Sequence, residues 1–289
     1  MTWEETITYI RTQPQFKELV TKAYLEKDLS LNVERFKESE EFQETLPILR
    51  QYAAKGKKLL DIGCGNGISS VAFAQAGYQV TALEPDPSDT IGAGAVRHLK
   101  KQYGLHTMNI IEALAEELQL PDNYFDSVYF RQAMHHAKDL EKFLEEAVRV
   151  LKPKGLLLSV RDHVVFGQKD KEWFLAMHPL HRFYGGENAY YPSEYKEAMK
   201  KAGVRIVKEL KHFDSVINFA PISLKEFEQL PTQRRMQRKE HLRKKLGILA
   251  GLPFLYSMYD WYLNQKQGGI LSEKQVAGRM YSYIAIKSS

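Results

Sequence analysis

Residues 59–67 read Leu-Leu-Asp-Ile-Gly-Cys-Gly-Asn-Gly, and no other stretch limits the fold as tightly. A short apolar run meets three glycines separated by single residues, and a helical pattern begins at Ile68. Glycine lets a backbone turn sharply from strand to helix, and without Cβ atoms the chain can pass close beneath a ligand. The first amides of the following helix are free donors. Glu84, 17 residues beyond Gly67, closes the next predicted strand and so falls at the same end of a parallel sheet. A carboxylate there can accept from both hydroxyls of a ribose. The spacing is Gly-x-Gly-x-Gly, one residue short of the dinucleotide fingerprint, which argues against a pyrophosphate and for a nucleoside with a short charged tail.

Around this turn, β-rich runs alternate with helical patterns, the mark of βαβ units on a parallel sheet. Strands are predicted at 58–62, 78–84, 106–111, 125–130, 156–160 and 204–210, with an alternating final strand within 277–287. Helices are predicted at 68–75, 88–102 with Ser88 as N-cap, 139–151 and 193–202, with Pro153 and Gly155 as the stop for the third. Two interruptions stand out. Residues 162–191 are rich in His, Tyr and Gly without a sustained period, as in a long functional loop or lid. Residues 220–275 are largely helical. The first ~45 residues read as amphipathic helices capping the core, with Phe16, Leu19, Val20, Ala23 and Tyr24 at helical spacing. The expected organisation is a cap at 1–44, a core at 45–161, a lid at 162–191, core again at 192–219, a helical insertion at 220–275 and the last core strand at 276–289.

Four stretches in order, LLDIGCGNG, ALEPD, AEELQLPDNYFDSVYFRQAMHH and VRVLKPKGLLL, resemble the class I S-adenosylmethionine-dependent methyltransferases, in particular the group of ubiquinone and menaquinone biosynthesis methyltransferases. The resemblance covers about Thr45 to Arg161. It implies an α/β Rossmann-like fold with a mainly parallel seven-stranded sheet, the last strand antiparallel, and S-adenosylmethionine as cofactor with S-adenosylhomocysteine as product. It also implies that Asp61, Gly63, Gly65 and Gly67 hold the methionine part and ribose. Glu84 would take the ribose hydroxyls, Pro85 and Asp86 would flank the adenine, and Ala115 with Glu116 would border its other side. Arg131, Gln132 and His136 would line the floor. Leu114 departs from the group, which often carries an Asp there, so the adenine pocket is more apolar or Glu116 compensates.

Methyl transfer from a sulfonium is an in-line displacement, for which a protein mainly supplies alignment and desolvation. A hydroxyl or ammonium acceptor also benefits from a base near neutral pKa. His136, His163, His181 and Tyr184 are the candidate catalytic residues, with His135 and His178 nearby. His135 reads equally well as a polar residue orienting its loop. The lid, with its paired Gly185 and Gly186, suits closure over a small-molecule acceptor. No metal is expected: Asp162, His163, His178 and His181 have ligand chemistry, but the short spacing contains Pro179 and no cysteine helps. Cys64, the sole cysteine, excludes an intramolecular disulfide and reads as a small residue packed under the cofactor.

Of 289 residues, 44% are hydrophobic and 27% charged, which excludes full disorder and coiled coil. The net charge of +5 points to anionic partners until it is located. Residues 231–245 hold seven basic residues against Glu240, a net +6, so the remainder stands at −1. Leu242, Leu246 and Leu249 share a helical face, giving a basic amphipathic helix that runs into apolar residues 246–263. That segment is a solvated face, a membrane-surface or acidic-partner contact using Phe254, Tyr256, Tyr259, Trp261 and Tyr262, or a nucleic-acid contact. An acidic N-terminus without signal-peptide order and apolar runs too short to span a bilayer favour a cytoplasmic protein. Two further readings stay open: an RNA methyltransferase using the basic helix, and a non-catalytic cofactor-binding interaction module.

Overall fold

The central strands are almost uniformly apolar because helices cover both faces of their sheet, so no alternation is needed. The computed structural model describes residues 1–53, 56–247 and 252–289. Four helices lead: α1 (Trp3–Arg11), α2 (Lys17–Lys22), α3 (Leu29–Glu38) and α4 (Glu40–Tyr52). Then come β1 (Lys58–Ile62), α5 (Ile68–Gln75), β2 (Gln79–Leu83), α6 (Ala93–Gln102), β3 (Asn109–Ile111), β4 (Phe125–Arg131), α7 (Leu140–Arg149) and β5 (Leu151–His163). The lid region folds as α8 (Gln168–Met177) and α9 (His181–Tyr184), followed by α10 (Pro192–Lys201), β6 (Val204–Leu210) and α11 (Val216–Phe219). A long α12 (Leu224–Leu246), α13 (Pro253–Gln267) and β7 (Met280–Lys287) complete the chain.

The seven strands run in the order β3-β2-β1-β4-β5-β7-β6, parallel except for β7, which is antiparallel to both its neighbours. This is the expected α/β Rossmann-like sheet with its last strand reversed. Order reverses between β1 and β4, and in open α/β sheets ligands enter outside the strand carboxyl ends at such a switch point. Packing follows simple periodicity in α7, where Leu140, Phe143, Leu144, Ala147 and Val148 are buried and Asp139 caps the first turn by accepting from the Lys142 amide at 3.0 Å.

Several expected boundaries move for physical reasons. The helix expected from Ser88 begins at Ala93, because the Ser88 hydroxyl instead accepts from the Thr90 amide and donates to Glu4 Oε1 at 2.6 Å. Pro153 and Gly155 do not stop α7; they lie inside β5, which starts at Leu151 and passes a register shift against β4. At its other end β5 extends past 160, so Asp162 and His163 are strand residues opposite Tyr281 and Met280 of β7, on the far side of a bulge where Arg161 has φ +63°. The cap boundary expected at 44 falls within α4.

The cap and lid form a separate apolar cluster in which Ile7, Ile10, Phe16 and Val20 pack with Ile91 and Leu180. Trp3 meets the Tyr184 ring at 4.7 Å and Tyr9 meets Phe183 at 5.5 Å. The first and last turns of the roof are thus welded over the crevice. In the insertion, Arg238 is buried against α13, donating to Asp260 at 2.6 Å and Asn264 at 2.8 Å, and Leu242 is buried. Leu246, expected on the same inward face, is exposed at the helix end, and Leu249 lies outside the described residues.

Candidate active site

A cavity of about 1060 Å³ opens at the switch point, roofed by the cap and lid. That is room for a nucleoside cofactor and a second small molecule together. On one wall the glycine turn has left-handed backbone at Gly63, Gly65 and Gly67. A Cβ on Gly63 would lie 2.8 Å from Ala133 Cβ, whereas one on Gly65 would meet nothing nearer than 3.8 Å. Gly65 is glycine for the backbone it adopts and the cavity it faces.

Glu84 stands at the β2 end, where its carboxylate accepts from the Gly65 amide at 2.7 Å and the Asp86 amide at 3.0 Å. Burial raises its pKa to about 7, against the lowering effect of those two amides. A carboxylate left short of donors in a cavity suits a ligand bearing hydroxyls. Pro85, Asp86, Leu114, Ala115 and Glu116 line the same compartment, with Leu114 exposed and Glu116 accepting from the Lys138 amide at 3.0 Å.

Asp61 and Gly67, expected to touch the ligand, do not line the cavity. Asp61 is buried behind the turn, where Ser69 and Ser70 of α5 donate to its Oδ2 at 2.7 and 2.6 Å. Burial lifts its pKa to about 6. It braces the loop against the helix. Gly67 backs onto Val96, 2.9 Å from an added Cβ. Cys64 is buried in the core beneath, its thiol pushed up by burial. Arg131 does line the cavity, yet its guanidinium is committed to the cap: Nε and Nη2 donate to Glu41 of α4 at 2.5 and 3.0 Å, with Arg161 at 3.4 Å on the same carboxylate.

The inner compartment gathers histidines from three segments: His135 and His136 after β4, His163 at the end of β5 and His178 after α8. His135 Nδ1 donates to Asp162 Oδ1 at 3.1 Å, and Asp162 is itself held by the Ser159 hydroxyl at 2.5 Å. Despite burial, Asp162 and Glu187 raise His135 to about 9. His136 Nδ1 faces the Gly186 carbonyl and His163 Nδ1 the Gly278 carbonyl, each at 3.1 Å. A carbonyl only accepts, so both rings carry their proton on Nδ1 and leave Nε2 as a lone pair. Burial, reinforced by the charge on His135, lowers His136 to about 4 and holds His163 well below its ordinary value.

Of the other expected catalytic residues, Tyr184 lines the cavity with its hydroxyl bonded to Glu187, and His181 lies outside the lining. Glu187 escaped the sequence reading. Oppositely charged His135 holds it well below the usual carboxylate range in spite of burial, and nothing in the spacing of lid residues signals that it turns inward.

The strand order, the reversed last strand and the glycine turn facing an acidic residue at the switch point define the class I methyltransferase architecture. Residues 60–159 match the methyltransferase domain family. It is 33% identical over 131 residues to a sterol 24-C-methyltransferase of Aspergillus fumigatus, covering 42% of this chain and 34% of that one. A ubiquinone/menaquinone biosynthesis C-methyltransferase of Serratia proteamaculans is 31% identical over 105 residues, 36% of this chain and 42% of that one. The match is thus a shared domain that spans less than half the length of either relative. Among solved structures, geranyl diphosphate methyltransferase in complex with S-adenosylmethionine superposes with a TM-score of 0.56 at 14% identity, over 91% of this chain and 92% of that one. A cyclase, SpnF, superposes at 0.54 with 18% identity over 85% and 80%. The fold is shared across different named activities.

Proposed function

We propose that this protein is an S-adenosylmethionine-dependent methyltransferase acting on a small, largely apolar acceptor. The observation that carries this reading is the pairing of Gly65 and Glu84 across the switch point. The backbone is bare where a ligand passes, and the carboxylate has lone pairs to spare for ribose hydroxyls. When bound, the cofactor supplies an activated methyl group on sulfur. Gly63, Gly65, Glu84, Pro85, Ala115 and Glu116 would hold it, while Asp61 and Gly67 shape the turn from behind. Arg131 fixes the cap that encloses the site. The roof of α1, α8 and α9 covers part of the crevice and, closed over bound molecules, would keep solvent from the nucleophile and leaving group. His136 lines the cavity, and with its Nδ1 proton on the Gly186 carbonyl its Nε2 would serve as an acceptor that orients an acceptor hydroxyl, while a pKa of about 4 makes it a weak base. The relatives whose names refer to sterols and quinones support an apolar acceptor.

Calorimetry with S-adenosylhomocysteine tests the cofactor step, with one site per chain expected. Incubation of the protein and labelled cofactor with a lipid and quinone extract, read by mass spectrometry, tests the acceptor class. Methylated RNA with no methylated small molecule would overturn the acceptor reading, and absent cofactor binding would overturn the whole.

A specific surface observation favours lipid contact over nucleic acid for the insertion. Phe254, Met258, Trp261 and Tyr262 of α13 fall at helical spacing on one face and are each more than half exposed. Beside them α12 exposes Arg235, Lys239, Arg243, Lys244 and Lys245. An apolar stripe next to a basic one fits an anionic bilayer surface. None of the α12 residues lines the cavity, which separates the charge from the chemistry.

A further inference from the structure

The geometry points to a divalent transition-metal site at the inner end of the cavity, formed by His135, His163 and Glu187. One donor atom from each lies within 4.8 Å of the other two. The three arrive from separate places in the chain: the turn after β4, the end of β5 and the loop after α9. His135 Nε2 and Glu187 Oε2 form an ion pair at 3.6 Å, longer than a hydrogen bond, and this carboxylate oxygen is buried with no hydrogen-bond partner among the described residues, so an ion bound here would take the place of the Nε2 proton. Two ligands each about 2.1 Å from a tetrahedral ion stand about 3.4 Å apart, so the separation matches a shared ion better than a direct bond.

The surroundings strengthen the case. Histidines that bind metals donate their second ring nitrogen to a carboxylate or a backbone carbonyl, which fixes the tautomer and aims the ligating lone pair. Here His135 has Asp162, itself anchored by Ser159, and His163 has the Gly278 carbonyl. The Tyr184 hydroxyl holds the other Glu187 oxygen, and His178 Nε2 lies 3.6 Å from it as an additional nitrogen within reach. Two imidazoles and one carboxylate select zinc, iron or cobalt over magnesium or calcium, which prefer all-oxygen shells. Because His135, His163 and Glu187 all line the cavity, an ion held by them would keep coordination positions open to an oxygen of a bound molecule. His136 lies outside the donor set.

The site does not depend on methyl transfer and is tested without it. Tag-free protein is stripped with chelator, dialysed and titrated with zinc by calorimetry, and with cobalt by visible absorption. We expect one zinc per chain and a cobalt d–d band of a four- or five-coordinate nitrogen and oxygen site. Glu187→Gln and His163→Ala are expected to lose the stoichiometric zinc and the band. Asp162→Asn, which leaves every ligand in place, should weaken zinc binding about 10- to 100-fold. His98→Ala, at the surface, should change nothing. Circular dichroism and melting temperature report whether each variant is folded. Absence of stoichiometric zinc and of the cobalt band in the stripped wild type, or unchanged binding in folded Glu187→Gln, overturns the proposal.

Discussion

Glu41, from the last helix of the cap, sits fully buried against Arg131 at the end of β4, with its carboxylate 2.5 Å from Arg131 Nε. Arg161 approaches the other oxygen at 3.4 Å, so one carboxylate balances two guanidiniums inside the protein. Although burial works against the charge, the two arginines hold the Glu41 carboxyl below its usual range. Because Glu41 comes from the N-terminal helices and both arginines from the sheet, this contact ties α4 to the strand ends that carry the cavity floor.

Glu41→Gln keeps the shape and removes the charge, leaving two buried cations without compensation. Breaking a buried pair in this way costs about 3–5 kcal/mol. Chemical denaturation should record a loss of this order, and the cap helices should become protease-sensitive first. A change below about 1 kcal/mol would show that water already reaches the pair.

Glu84 predicts a pH dependence whose sign is opposite to that of a paired carboxylate. Its folded pKa of about 7 lies above the ordinary value, so its protonation stabilises the ligand-free protein below the unfolded pKa, and this contribution is lost as pH rises through 7. Glu84→Gln should therefore melt at a higher temperature than the wild type at pH 8 and close to it at pH 5. Ribose hydroxyls favour the ionised form, so S-adenosylhomocysteine should bind the wild type about tenfold more weakly at pH 6 than at pH 8. Glu84→Gln should bind weakly at both.

Two glycines of one turn should fail in different ways. Gly67→Ala places a Cβ at positive φ and 2.9 Å from Val96, adding strain of about 1–2 kcal/mol to overpacking of about 1–3 kcal/mol. Gly65→Ala has space around it and carries only the backbone strain, but its methyl enters the ligand crevice. Thermal melts should rank Gly67→Ala as the less stable, while calorimetry should rank Gly65→Ala as the poorer binder. The opposite ranking would mean that the crevice is not where the ligand lies.

The α12–α13 pair should bring the protein to anionic vesicles. Flotation with phosphatidylglycerol-containing liposomes at low salt should recover it, and neutral liposomes should not. Phe254→Ser with Trp261→Ser should weaken partitioning at least about tenfold, since each aromatic contributes its buried area. Equal recovery of the double variant would leave charge alone as the attraction.

The glycine turn, Glu84 at the following strand end and the alternation of strands and helices were legible in the chain because they are local. A tight strand-to-helix turn needs glycine wherever it occurs, and buried parallel strands must be apolar throughout. From these came the sheet, the place of its switch point and the general position of the cofactor residues. Asp61 is a ligand contact only by the resemblance to the methyltransferases. Its side chain turns the other way, toward Ser69 and Ser70, since a strand sends successive side chains to opposite faces. The same limit hid the bulge in β5 that carries Asp162 and His163 out of the lid and into the sheet.

The chain by itself therefore determined the architecture, the crevice and the concentration of positive charge in one accessory helix, all of which follow from short-range spacing and composition. Only the tertiary structure decided that Glu41 locks the cap to Arg131, that two of the basic residues, Arg234 and Arg238, turn inward to hold α13 and the segment after it, and that His135, His163 and Glu187 converge. Those groups are separated by up to 90 residues, and what brings them together is the closure of the sheet and its roof around a common core, a cooperative outcome that no local pattern encodes.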